Sequence, residues 1–408
     1  MTIHRTTRRR LGAGSAIVLL VAALAACSSA GSSSTSGTSS TAATSSASAA
    51  ASTSAGGASS GGITDTEYNA LASNYVSRPP TTGPAPVKNK SIWWISCSNA
   101  VPACKLLSDA GAAAAKLLGW SFHVADGNLN QNGGYANAVL TALAAHPSAI
   151  VLQGMDCSQI EQPLAEAKAQ GVPVLGVQSI DCSAEKAGAP SLITAQMLYA
   201  DNAPTLKDYY VSWGVNAAKY IIDETGGKAQ VIANLGKGGF YTYLDQGFLS
   251  TMASCSGCKI LDDVQWADAD TAPGGPWIQA FTAALAEHPT VNAVFIPFDS
   301  LMSTSGGLQA IKDSGLKPIV VGANGNDPEV IAALRDGQVT AITAAQDFRW
   351  LSYGAMDELN RFFNHDPSVP EGIGPTVVDL KHNLPAAGQP YTSPIPWQQD
   401  YQKLWGVS

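Results

Sequence analysis

A short helix-to-strand passage occurs twice in this chain. Thr141-Ala142-Leu143-Ala144-Ala145-His146-Pro147 leads into an apolar run that ends at Asp156, and Ala283-Ala284-Leu285-Ala286-Glu287-His288-Pro289 leads into one that ends at Asp299. The next helix and strand echo too: 164–171 stands before Pro173-Val174-Leu175-Gly176 as 308–315 stands before Pro318-Ile319-Val320-Val321-Gly322. Two copies of one helix-strand-helix-strand unit, near 140 residues apart, point to two similar α/β lobes. Alanine-rich helices resemble one another by composition alone, so the strands must carry the argument.

Short apolar runs alternate with amphipathic segments through the whole body, as in parallel sheets covered by helices on both faces. Strands are expected at 91–95, 121–124, 149–152, 174–177 and 192–194, then at 229–233, 259–264, 293–296, 319–321 and 339–343. Helices are expected at 104–118, 135–145, 160–170, 213–224, 277–287, 308–314 and 353–363. The residues after Asn383, ending in Trp397 to Trp405, read as a helix packed on the second lobe.

What precedes the body is of another kind. Arg5, Arg8, Arg9 and Arg10 stand before an apolar segment, 16–26, too short to span a bilayer and suited to an export signal. Leu24-Ala25-Ala26-Cys27 resembles the bacterial lipobox, which implies that Cys27 is lipidated and becomes an anchor; an ordinary secretory cleavage site is the competing reading. Thr7-Arg8-Arg9 lacks the rest of a twin-arginine pattern, which leaves the export route open. From Ser28 to Gly62 every residue is Ser, Thr, Ala or Gly. Such a run has no apolar surface to offset its ordering entropy and should act as a leash with an r.m.s. reach of roughly 30–35 Å. The expected organisation is a signal at 1–26, the lipidated cysteine and linker at 27–62, and a Pro-rich lead-in at 63–87. A first lobe of 88–195 plus 347–377 and a second of 196–346 plus 378–408 complete the chain.

Net charge is −8 with 13% charged residues and no basic cluster beyond the signal, which argues against nucleic acid as a partner. Six cysteines follow Cys27, an even number that suggests disulfides in an exported chain. Sequence permits any pairing, but proximity favours Cys97 with Cys104, Cys157 with Cys182 and Cys255 with Cys258. The six histidines have no ligand-like spacing, so neither a metal nor any other cofactor is expected. Cys255-Ser256-Gly257-Cys258 has the spacing of thiol-disulfide exchange enzymes, but it follows a helix instead of opening one and reads as a stapled turn.

In open α/β sheets ligands bind beyond the carboxyl ends of the strands. The residues placed there are Cys97, Ser98 and Asn99, Asp156 and Ser158, and Gln178, Ser179 and Asp181 in the first lobe. The second lobe places Gly236 through Tyr243, Trp266, Phe298 and Asp299, and Asn324 and Asn326. Amides, carboxylates and rings together suit a small polyhydroxy or amide-bearing solute. Asp156, Asp299 and Asn324 could equally cap the helices that follow them, and Trp266 and Phe298 could be core. Trp93 and Trp94 sit in a central strand and read as packing. Gly236-Lys237-Gly238-Gly239 lacks the spacing of a phosphate loop.

With those positions in view, the body from Lys88 to Leu384 resembles the type I periplasmic solute-binding proteins, the ribose-binding-protein-like family. The stretches that carry the resemblance are Gly171 to Gly176, Ala293 to Asp299, Pro318 to Gly325, Ala341 to Gln346 and Val378 to Lys381. It implies two doubly wound parallel-sheet lobes joined by three hinge crossovers, near 193–198, near Gln346 and near 377–379. It implies ligand contacts from Asn99, Gln178, Tyr241, Tyr243, Trp266, Phe298, Asp299, Asn324 and Gln346, beside Asp156 and Ser179 of the cleft reading. Sugar-binding members usually carry an Asp-Arg pair where this chain has Gln178-Ser179, and often an Asp where it has Asn324, so a charge-assisted contact is missing.

The function implied is a non-enzymatic one: a monomeric lipoprotein outside the cytoplasm that closes on a small solute, a sugar or sugar-like molecule, and presents it to an ABC transporter permease. A sensor that passes the signal to a membrane kinase would have the same sequence pattern, and a thiol-disulfide oxidoreductase rests on Cys255 and Cys258 alone. A repressor of the same fold would need a helix-turn-helix where this chain has its signal and leash. On the trap reading, Asp299→Ala and Trp266→Ala each weaken solute binding with little loss of fold.

Overall fold

The structure, a computed structural model, describes residues 63–72 and 76–407. The expected export signal, Cys27 and the run to Gly62 lie outside the described residues.

Two sheets repeat one plan. Strands β1 (Ser91–Ser96), β2 (Ser121–Asp126), β3 (Ala149–Gln153), β4 (Val174–Val177) and β5 (Ala195–Gln196) form a parallel sheet in the order 2-1-3-4-5. Strands β6 (Gln230–Gly236), β7 (Lys259–Trp266), β8 (Ala293–Ile296), β9 (Ile319–Gly322) and β10 (Ala341–Ala345) repeat it as 7-6-8-9-10, and β11 (Thr376–Val378) adds an antiparallel edge beside β10. The echo in the sequence therefore has a structural counterpart: β3 and β4 pair from Ile150 opposite Val174, β8 and β9 from Ala293 opposite Ile319. Every residue of β3, β4, β8 and β10 is buried, as expected of strands covered on both faces.

Local chemistry sets the helix ends. Pro102 opens Pro102–Leu118 and Gly119, at φ 77°, closes it. Thr205 accepts the Asp208 N–H at the head of Leu206–Glu224, and Asp347 accepts the Arg349 N–H at the head of Phe348–Phe363. Leu206–Glu224 and Tyr241–Ala253 cross backbone to backbone through a glycine pair. A Cβ on Gly214 would stand 2.1 Å from the Leu244 carbonyl oxygen, and one on Gly247 2.2 Å from that of Val211. The disulfides present are Cys97–Cys104, Cys157–Cys182 and Cys255–Cys258.

The structure departs from the sequence reading where side chains capture backbone groups. The fifth strand begins at Ala195 rather than 192, because the Asp181 carboxylate accepts the Leu192 and Ile193 N–H groups at 2.8 and 2.7 Å and holds them in the loop. The tenth begins at Ala341 rather than 339, because the Gln338 and Val339 N–H groups close the preceding helix on the Ala333 carbonyl.

The lead-in 63–87 is more than a lead-in. It holds a helix, Asp65–Ala72, tied to the second sheet by the Tyr68 hydroxyl on the Val377 carbonyl and by Tyr68 stacked on His382 at 3.8 Å. Its later part runs along Phe348–Phe363, where Asn360 and Arg361 bind the carbonyls of Pro84 and Thr82.

The carboxyl-terminal helix, Trp397–Leu404, corrects the assignment of 378–408 to the second lobe. It packs on Phe348–Phe363, with Tyr353 stacked on Trp405 at 5.7 Å and the Trp405 indole donating to Asp357 at 2.7 Å. Phe348–Phe363 in turn lies on Pro102–Leu118 of the first lobe, with the Ser352 hydroxyl on the Leu107 carbonyl. The third crossover lies ahead of 377–379: Pro370 bridges to Leu198 of the first crossover, and the Glu371 and Gly372 N–H groups bind Leu198 and Tyr199. The first and third crossovers thus run side by side as segments bonded to each other.

Candidate functional site

The carboxyl ends of both sheets face one chamber of about 90 Å3. At the roughly 10–15 Å3 one water requires, it holds about six waters or a small ring. Of the eleven residues expected as ligand contacts, Gln178, Tyr241, Trp266, Phe298, Asp299 and Asn324 line it. Five others lie elsewhere. Asn99 is exposed, its N–H turned to Asp126. Tyr243 is half-buried outside the chamber with the Lys207 ammonium 5.9 Å from its ring. Ser179 is buried and spends its hydroxyl on the Met155 N–H and the Leu152 and Val177 carbonyls. Gln346 joins the Tyr209 hydroxyl at the hinge, where Gln178 also donates to Tyr209, at 3.3 Å.

Asp156 is a clasp between the lobes. It caps Cys157–Ala169 through a reciprocal box with Gln159, and its Oδ1 accepts from Ile180 of its own lobe at 3.2 Å and Phe240 of the other at 3.4 Å. The approach is close enough that a Cβ on Gly239, at φ 54°, would stand 1.6 Å from Asp156 Oδ2.

Sequence reasoning missed the centre of the seam. Asp268, two residues past Trp266 at the end of β7, is buried and accepts three hydrogen bonds. Tyr135 and Gln159 reach it from the first lobe at 3.1 and 3.2 Å, and Tyr241 from the second. Its signal was present: a carboxylate just beyond a strand's carboxyl end, in the position the strand rule marks. Also missed were Tyr210, which begins no motif, and Phe348, whereas the Cys97–Cys104 disulfide, paired as the sequence suggested, joins the chamber lining at the strand end where Cys97 was placed.

Asp299 proves to be structural. Oδ1 accepts the N–H groups of Asn324 and Gly325, both at 3.1 Å, and Oδ2 those of Asn326 and Asp327 at 2.7 and 3.1 Å. These bonds shape the loop that presents Asn324, so the structure leads us to expect that Asp299→Ala weakens the fold as well as the site.

Several carboxyls are pushed above their ordinary range, chiefly by burial. Asp299 rises to about 7 against the pull of its backbone donors, Asp245 to about 8, and Glu358 to about 7. Asp268 is raised by burial against its three side-chain donors, and Asp156 well above the usual range by burial and then by the charges of Glu185 and Asp268. A carboxyl whose folded pKa is raised binds more protons folded than unfolded. Its stabilising share is complete below about pH 4 and is lost as pH rises through the folded value. The midpoint of thermal unfolding should therefore fall between pH 5 and pH 8. Asp245→Asn should flatten that slope, since Asp245 Oδ1 is buried without a partner. A melting temperature that rises over the same interval would contradict these assignments.

Outside the chamber, Asp262, Glu287 and His288 bring their ligand atoms within 4.8 Å of one another, a grouping the histidine spacing did not suggest. His288 there pairs with Asp262 at 3.5 Å.

Compared with known proteins, residues 104–365 match a family model described as a periplasmic binding protein domain. No curated protein matches the chain. Among solved structures, the chain is similar to the periplasmic binding protein component of the arabinose ABC transporter from Shewanella sp. ANA-3, bound to arabinofuranose. There the identity is 20%, 77% of this chain and 95% of that chain are covered, and the TM-score is 0.57. An ABC transporter solute-binding protein from Mycobacterium smegmatis with bound glycerol has 19% identity over 74% of this chain and 100% of its own, with a TM-score of 0.58. The periplasmic ribose ABC transporter protein of Conexibacter woesei has 18% identity over 72% and 93%, with a TM-score of 0.54.

Proposed function

The chain belongs to the periplasmic binding protein domain family, and from that premise we propose that it captures a small uncharged solute, no larger than a monosaccharide, and delivers it to an ABC transporter permease. The observation that carries this reading is the chamber at the seam of two sister sheets, with donors and an acceptor from the two lobes joined at Asp268. Solute binds one lobe, the other swings over it about the three crossovers, and the closed form is the one presented to the permease. Exclusion of water strengthens the polar contacts, and the solute's greater affinity for the closed state drives the shift. No covalent step is required of the chamber residues.

The cellular setting belongs to the same proposal. Lipidation at Cys27 holds the body outside the cytoplasm, and the linker to Gly62 gives it roughly one domain width of travel. Among the described residues no helix is long and apolar enough to cross a membrane, so in this reading the lipid is the anchor. In this reading the lobes divide at the crossovers, with the carboxyl-terminal helix packed beside the first.

Thermal-shift titration against sugars, polyols, nucleosides and amino acids tests the proposal, because a ligand that binds only the native state raises the melting temperature by mass action. At least one uncharged solute should give a saturable rise that Trp266→Ala abolishes. A chain that no solute stabilises is not a solute trap.

A further inference from the structure

The chamber's chemistry narrows what the trap accepts, and the inference rests on the trap reading above. On the second lobe the rings of Tyr210, Phe240, Tyr241, Trp266 and Phe298 form one continuous surface. Tyr210 is stacked on Phe240 at 4.5 Å, Phe240 meets Tyr241 at 4.2 Å, and Tyr241 meets Trp266 at 4.6 Å. The first lobe faces them with Val101, Leu107, Leu129 and the Cys97–Cys104 disulfide. These surfaces are apolar, and the amides and hydroxyl beside them are engaged: Gln153 with the Trp94 indole and the Cys97 sulfur, Gln178 with Tyr209, and Thr271 with the Asp268 carbonyl. No lysine or arginine lines the chamber among the described residues, so an anion would lose its hydration without a counter-charge.

The carboxylates are already engaged. Asp299 gives both oxygens to four backbone N–H groups, and Asp268 gives its own to Tyr135, Gln159 and Tyr241. Two residues that line the chamber each hold a buried side-chain atom without a partner: the Trp266 indole N–H, a donor, and Asn324 Oδ1, an acceptor. Both residues are 3% exposed. Buried polar groups without partners are rare in folded chains, and two of opposite sense in one cavity mark the places where a ligand supplies an acceptor and a donor.

A polyol fits this arrangement poorly. Each hydroxyl brings a donor and two acceptor sites, and each left unpaired between apolar walls weakens binding by roughly tenfold or more. We propose that the solute is an uncharged planar heteroaromatic ring with an acceptor and a donor on its edge, the chemistry of a nucleobase or an aromatic carboxamide. Its faces lie between the ring wall and the leucine and disulfide wall, its acceptor takes the Trp266 N–H, and its donor gives to Asn324 Oδ1.

Isothermal calorimetry on the purified full chain tests this, with uracil, hypoxanthine and nicotinamide as one set of probes and D-ribose, L-arabinose and glycerol as the other. At least one heteroaromatic should bind saturably and more tightly than every sugar or polyol. Trp266→Phe, which keeps a ring and deletes the N–H, should weaken that probe about tenfold or more, and Asn324→Leu should do the same through the acceptor. Thermal melts of the two variants without solute establish that each is folded; if one is not, the other carries the test. A sugar or polyol that binds tightest, with the same dependence on Trp266 or Asn324, overturns this inference and leaves the trap reading standing. If no probe of either set binds, the inference falls and the trap reading falls with it.

Discussion

Asp299→Ala should lower the unfolding free energy by at least about 3 kcal/mol in urea titration, more than any other single change at the chamber. Hydrogen bonds to a charged group are worth about 1.5–3 kcal/mol each, and removing the acceptor leaves its donors buried and unpaired. Here one carboxylate holds four donors in consecutive residues, 324–327. The loop it shapes is tied onward: the Asn326 amide donates to the Asn324 and Gln346 carbonyls, and Asn326 Oδ1 accepts the Phe348 N–H. Asp327 caps Pro328–Arg335 and accepts the Ser303 hydroxyl at 2.6 Å. Loss of the carboxylate therefore loosens a chamber wall, a helix start and a hinge strand together. Asp299→Asn keeps the shape and one acceptor oxygen but turns an amide donor toward two N–H groups, so it should lie between wild type and alanine. An alanine variant within about 1 kcal/mol of wild type would show that the loop holds itself.

The case of Asp299 shows what sequence could and could not reveal. An aspartate just past a strand reads equally as ligand contact, helix cap or loop anchor, because all three need an acceptor at that spot. Only the positions of four N–H groups some 25 residues downstream in the chain decide it. The sheets were far more legible. Apolar strands buried on both faces leave a strong local signal, and the repeated helix-strand passages mark two sister sheets, while the orders 2-1-3-4-5 and 7-6-8-9-10 come only from the structure. Strand ends slipped where a side chain outside the strand captured its backbone, as Asp181 does at Leu192 and Ile193. The chamber was half legible: residues beyond strand ends were found, whereas Tyr135 and Tyr210, which reach it from helices, carry no marking in one dimension. Gln346 was placed at a crossover by resemblance, and the structure gives it a hinge partner, Tyr209, in place of the chamber.

The seam yields the second large effect. Tyr135→Phe combined with Gln159→Ala removes both first-lobe donors to Asp268, leaving in the closed form a buried carboxylate with one partner, Tyr241. In the open form water replaces what was lost, so the change falls on the difference between the two states and less on folding. Two hydrogen bonds to a carboxylate set its size at about 2–4 kcal/mol toward the open form. Apparent solute affinity falls with the closed fraction, by roughly 30-fold or more for that shift. Gly239→Ala pushes the same equilibrium from the other side, since its Cβ would stand 1.6 Å from Asp156 Oδ2 and the residue sits at φ 54°. Small-angle scattering should show a larger radius of gyration for both variants than for wild type. Adding Asp156→Ala to Gly239→Ala removes the obstruction and should recover part of the compaction, whereas a purely local strain at Gly239 would leave it unrecovered. If the double variant of Tyr135 and Gln159 keeps wild-type dimensions and wild-type solute affinity, Asp268 is a passive buried carboxyl and the lobes are held by their apolar surfaces alone.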